Sequence, residues 1–159
     1  MVTGTTESDF TAERLAERYL REVCIGGRFD LIGELAHEDM LDEANCAFGG
    51  PPGRAGLVAH VKGFRRAIAD LRIEIARIAA GRDASGAEEV MACWRFEGRQ
   101  VAPWLGRAAD GAAVSGDVVS IFTLREGRIA RYRLWLCARF SEGAVVFDSS
   151  RALAAREAE

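Results

Sequence analysis

Lysine is almost missing from this 159-residue chain: Lys62 stands alone among Lys and Arg residues that total 21, against 24 Asp and Glu. With a net charge of −3 there is no basic excess to neutralise a phosphate backbone, which argues against nucleic acid as a partner. No apolar run is long enough to cross a bilayer, so no membrane partner is expected. The opening stretch MVTGTTESDF has neither a basic n-region nor an apolar h-region, hence no visible secretory signal, and a cytoplasmic protein is the expectation. Metal-ligand patterns are lacking too. Cys24, Cys46, Cys93 and Cys137 form no C-x-x-C pair, and His37 and His60 stand apart without ligand spacing. The cysteines are expected to be free thiols in a reducing cytosol. No glycine-rich nucleotide motif occurs, so no tightly bound cofactor is expected.

Apolar residues, by contrast, make up 49% of the chain, enough for one sizeable core. After Thr11, residues Ala12, Leu15, Ala16, Tyr19, Leu20 and Val23 recur at helical steps until Gly26-Gly27 ends the pattern. A short second helix is read over Phe29 to Ala36, and a third over Gly56 to Asp70. Between them lies HEDMLDEANCAFGGPPGRAG, acidic and then Gly/Pro-rich, a long loop or a short strand plus loop. From Leu71 onward the chain reads as strands: Leu71 to Ile78, Val90 to Phe96 with a continuation from Gln100 after a break at Gly98, and then the pair within DVVSIFTLREGRIARYRLWL. Arg151 to Glu159 reads as a frayed C-terminal helix. The expected fold is one α+β domain over residues 1–159, with 1–10 and 150–159 frayed.

Helices placed before a long curved sheet enclose a cone, and such a mouth suits a small apolar ligand. Phe10, Tyr19, Phe64, Trp94, Phe96, Trp104, Phe122 and Tyr132 can all be drawn facing inward. Ser120 is a lone hydroxyl on the strand phase of Val118, Phe122 and Leu124, which marks it as pocket wall. Tyr132 shares its phase with Leu134 and Leu136, where a phenol can donate to a developing enolate. Arg131, Arg133 and Trp135 take the opposite phase, a composition that fits a homodimer surface.

ACWRFEGRQVAPWLG, VVSIFTLREGRIARYRLW and the acidic LAHEDMLDEA together resemble the SnoaL-like polyketide cyclase family of the NTF2-like superfamily. The resemblance spans Thr11 to Phe140 and rests on helix order and turn spacing as much as on the motifs. It implies an NTF2-like cone, with three N-terminal helices packed on a curved antiparallel sheet. It also implies a small-molecule enzyme acting on a polyketide or aromatic substrate by cyclisation, isomerisation or cofactor-free hydroxylation. A hydroxylase of this kind can depend on a partner reductase. In the family's aldol cyclases an aspartate before the apolar-Phe pair acts as acid/base, assisted by a histidine; Ser120 and Gln100 hold those positions here. A serine hydroxyl is no useful general base near neutral pH. A non-catalytic binding or interaction module therefore stands beside the enzyme reading.

If there is chemistry, its acid must come from another wall. The acidic group His37, Glu38, Asp39, Asp42 and Glu43 adjoins the cavity mouth in this superfamily, and a carboxylate facing aromatic rings there would have its pKa raised. Asp39 and Glu43, assisted by Tyr132, are the expected catalytic residues. Tyr19, Asn45, Trp94, Phe96, Gln100, Trp104, Ser120 and Phe122 are the expected substrate-binding residues, with no metal.

Overall fold

The computed structural model describes residues 7–159, leaving aside the side chains of residues 8–10. The fraying expected at the N-terminus falls, for residues 1–6, outside the described residues, as does the side chain of Phe10. Helix α1, Glu7–Arg18, passes directly into wider π-helical turns over Tyr19–Ile25. The apolar stripe read from the sequence is the buried one: Ala12, Ala16, Tyr19, Leu20 and Val23 are all at most 1% exposed. Gly27 ends the element with φ 68, and the Arg65 guanidinium donates to the Cys24 carbonyl at 2.9 Å, satisfying one of the orphan acceptors.

The second helix is shorter than expected. A 3-10 turn over Phe29–Leu31 and one α-turn, α2 (Ile32–Leu35), lead into strand β1, Ala36–Asp42. The acidic segment is thus mostly strand, followed by the short helix α3, Glu43–Ala47. Helix α4, Arg54–Ala67, stops before Asp70 because Ile68 is already extended and starts β2, Ile68–Arg82. Strand β3, Glu88–Gln100, runs unbroken through Gly98, then β4 (Ala113–Arg125) and β5 (Arg128–Phe140) follow. Strand β6, Gly143–Asp148, had no counterpart in the sequence reading. The C-terminal helix expected over Arg151 to Glu159 is α5, Ser149–Glu157, whose first turn is capped by Asp148, which accepts from the Ser150 and Arg151 N–H groups.

The sheet order is β1-β5-β4-β3-β2, with β6 also on β5. All pairs are antiparallel except β1 with β5, so the expected antiparallel sheet carries one parallel strand. Strand β1 occupies the edge of β5 near Ile129 to Tyr132, and β6 takes the same edge from Trp135 to Phe140. Register breaks at Ala69/Arg72 and Ile75/Arg77 of β2 and at Thr123/Leu124 of β4 supply the bends that curl the sheet. Val118, Ser120, Phe122 and Leu124 face the helices, as their strand phase required. Gly116 sits opposite Phe96 because a Cβ there would lie 2.3 Å from the Phe96 ring. No helix among the described residues is long and apolar enough to cross a membrane.

Candidate functional site

The curled sheet and the helices wall two adjoining spaces. An outer vestibule of about 350 Å³ is walled by Asn45, Phe48, Trp104, Leu105 and Phe147, among others. Deeper lies a chamber of only about 50 Å³ between Tyr19, Cys24, Trp94, Phe96 and Tyr132. His60, Phe64, Trp104, Leu134 and Leu136 border both. No Lys, Arg, Asp or Glu is among the lining residues of either space.

At this junction His60 Nδ1 lies 2.7 Å from Asp42 Oδ2. Sequence order hides the pair. Asp42 ends β1, and its other oxygen accepts the Asn45 backbone N–H at 3.1 Å as the N-cap of α3. His60 comes from α4, on the same stripe as the buried Leu57, Val61 and Phe64. That stripe position, at i+3 from Leu57 and i−4 from Phe64, was the available signal. Asp42 is 1% exposed, so its carboxylate is held by these two donors inside the protein. Burial alone would lower the His60 pKa, but the Asp42 charge and hydrogen bond outweigh it and raise the imidazole above its usual value. With Nδ1 committed to the carboxylate as donor, the neutral ring keeps its lone pair on Nε2.

A second polar chain crosses the back of the chamber. Trp94 Nε1 donates to Ser120 Oγ at 2.9 Å, and Ser120 Oγ shares a 2.8 Å hydrogen bond with Tyr132 Oη. Burial pushes the Tyr19 and Tyr132 phenols well above their ordinary range, so both stay protonated donors. It also pushes the Cys24 thiol up to about 12, which leaves it an unreactive wall.

The structure brings Tyr19, Trp94, Phe96, Trp104 and Tyr132 together around the cavity and puts Asn45 in the vestibule wall. The Asn45 amide donates to the Pro51 carbonyl at 2.7 Å, and Gly50 must lack a side chain because a Cβ would lie 2.0 Å from Asn45 Oδ1. Other expected residues lie elsewhere. Asp39 is exposed outside both spaces, where Arg125 at 2.9 Å holds its carboxyl below the usual range. Glu43 is fully buried but faces away from the cavity, bound by Arg131, Ser149 and Ser150. The reason is local: Asp42 ends the strand, so the next residue turns outward with α3. Gln100 donates to the Ala102 and Arg107 carbonyls and fixes the loop that carries Trp104. Phe122 is packed behind the chamber against Tyr19 and Tyr132. Ser120 is likewise behind the wall, touching the cavity only through Trp94 and Tyr132. Phe48 and Phe147, which stack at 5.3 Å beside the vestibule, were not anticipated.

A conical cavity between a curled sheet and short helices is the architecture of the NTF2-like fold. The chain belongs to the SnoaL-like polyketide cyclase family, whose sequence pattern matches residues 14–136. Among solved structures it is similar to TsrD from Streptomyces laurentii, at 21% identity over 80% of this chain and 88% of that one, with a TM-score of 0.67. A SnoaL-like polyketide cyclase from Agrobacterium tumefaciens str. C58 is 16% identical over 93% and 98% of the chains, with a TM-score of 0.61. IdmH from Streptomyces antibioticus is 17% identical over 94% and 99%, with a TM-score of 0.58. Likeness at these identities carries the fold alone. No curated protein matches the chain.

Proposed function

We propose that this protein is a cyclase-type acid/base enzyme acting on an uncharged polyketide or aromatic molecule in the vestibule, with His60 as general base and Asp42 as its orienting partner. The 2.7 Å contact between His60 and a buried carboxylate, at the border of an aromatic cavity free of other charges, carries this reading. His60 Nε2 would take a proton from carbon beside a substrate carbonyl, and the buried Asp42 charge would stabilise the imidazolium. The enolate carbon would then bond to a second carbonyl carbon of the same substrate. The new alkoxide would recover the proton from His60, closing the ring without redox change. A cytoplasmic setting, in which the cysteines stay free as they are here, belongs to the same reading.

The test needs no knowledge of the natural substrate. 5-Nitrobenzisoxazole is a neutral aromatic whose N–O bond breaks when a base removes one carbon-bound proton, releasing a coloured phenolate. The wild-type protein should accelerate this opening, and His60→Gln and Asp42→Asn should each lower it by about 10²–10⁴-fold. Asn caps helices as well as Asp does, so Asp42→Asn separates the charge from the cap. Full activity in both variants would place the base elsewhere. A wild-type protein that binds the probe but opens it no faster than buffer would favour the binding-module reading, which the Ser120 and Gln100 replacements support.

We also propose a homodimer formed through the outer sheet face. Trp135 and Val146 are 42% and 80% exposed there, and with Cys93, Val119 and Cys137 they line an open groove of about 430 Å³. The Arg95–Asp117–Arg139 ion pairs flank it.

A further inference from the structure

The inner chamber is too small for a substrate ring and has the wrong lining for an empty void. Its volume of about 50 Å³ is enough for water, which needs roughly 10–15 Å³ of such space. Cavities lined only by hydrocarbon stay dry, whereas a buried water is held where two to four polar groups converge. Here Tyr19, Tyr132, His60 and Cys24 all border the space. Tyr132 has spent one hydrogen bond on Ser120, but a phenol both donates and accepts, so it keeps one for the chamber. Trp94 Nε1 can only donate, and that hydrogen bond is made to Ser120 Oγ, so Trp94 presents just its ring. The polar edge of the chamber is therefore its His60–Tyr19–Tyr132 side. That side is also where His60 borders the vestibule.

We propose that this chamber holds a water molecule which His60 activates, giving the site hydrolytic activity toward uncharged aryl esters seated in the vestibule. The proposal rests on the Asp42–His60 reading of the site and adds a second reactant to it. His60 Nε2 takes one proton of the water as its oxygen bonds to the ester carbonyl carbon. The carbonyl π pair moves onto oxygen, giving a tetrahedral intermediate. When that pair returns, the bond from carbon to the aryl oxygen breaks, and the imidazolium gives its proton to the departing oxygen. The products are a carboxylic acid and a phenol, with no oxidant or reductant consumed. Solvent refills the chamber through the vestibule after each cycle.

The experiment pairs two probes on the full-length protein: hydrolysis of 4-nitrophenyl acetate, which needs the water, and opening of 5-nitrobenzisoxazole, which does not. The wild type should catalyse both. Val61→Leu adds carbon to the chamber wall, and should lower the ratio of hydrolysis to ring opening by about tenfold or more, a loss of roughly 1.4 kcal/mol or more in relative barrier. Taking the ratio removes any loss of folded protein, and Val118→Ile, filling the same space from the sheet side, repeats the test. An unchanged ratio in both variants overturns the proposal, as does a wild-type crystal structure with a dry chamber. Ring opening without ester hydrolysis in the wild type also overturns it and leaves the base assignment intact. Absence of both activities overturns the base assignment, and this proposal with it.

Discussion

At the scale of single residues, Ser120 and His60 show how polar groups are priced inside the cone. Ser120 is fully buried and satisfies both Trp94 Nε1 and Tyr132 Oη. Ser120→Ala leaves the indole donor without a partner, a cost of about 1–3 kcal/mol, visible as a lower Tm. Turnover should change much less, because Ser120 touches the cavity only through its partners; a collapse of turnover at unchanged Tm would mark it as catalytic. For His60 the sign follows from its raised pKa. Its interaction with Asp42 adds most stability below the ordinary imidazole pKa and loses that contribution as pH rises through the folded-state value. Activity runs the other way, since the base must be neutral. The acidic limb of the pH–rate profile should therefore lie above the usual imidazole value and vanish in His60→Gln.

Among elements, the C-terminal β6–α5 unit shows where sequence reading stops: the helix is legible, but neither β6 nor what holds the unit in place is. It is fastened by Glu43, whose oxygens accept from Arg131 Nε at 2.8 Å, Ser149 at 3.0 Å and Ser150 at 2.6 Å, and by the Phe48–Phe147 stack. Glu43→Ala frees Arg131 to find water but strands the buried Ser149 hydroxyl, which also donates to no other described acceptor while accepting from Leu134 N–H. Amide exchange should quicken in α5 before the central strands, with a global loss of about 1–3 kcal/mol. Equal protection of α5 in the variant would deny the clamp. Strands β2 to β5 were legible because alternation and the Arg125–Arg128 turn are local signals. Trp94, Phe96 and Tyr132 of the inner wall sit on those strands, where phase is a local signal. The Asp42–His60 pair was not legible, because it joins a strand end to a helix 18 residues later, and only the packing of α4 on β1 decides that distance. Glu43 was misassigned for the same reason: whether it shares the cavity depends on where β1 stops.

For the whole molecule, the proposed dimer puts the state of assembly on the outer sheet face. Trp135→Glu should shift the proposed dimer toward monomer in sedimentation, by placing an unpaired charge at the apolar centre of the groove. A wild type already monomeric at micromolar concentration would refute the dimer. One topological detail reaches further. Because β1 and β6 divide a single edge of β5 between them, the chain ends up guarding the same row of peptide groups from both sides of its sequence. Peeling away β6 would bare half of that row together with the Phe147 wall of the vestibule. The opened molecule would then offer a sticky template to extended segments of other copies, so proteolytic nicking near Ser141 should raise light scattering over time, while a nicked protein that scatters no more than the intact one would deny it.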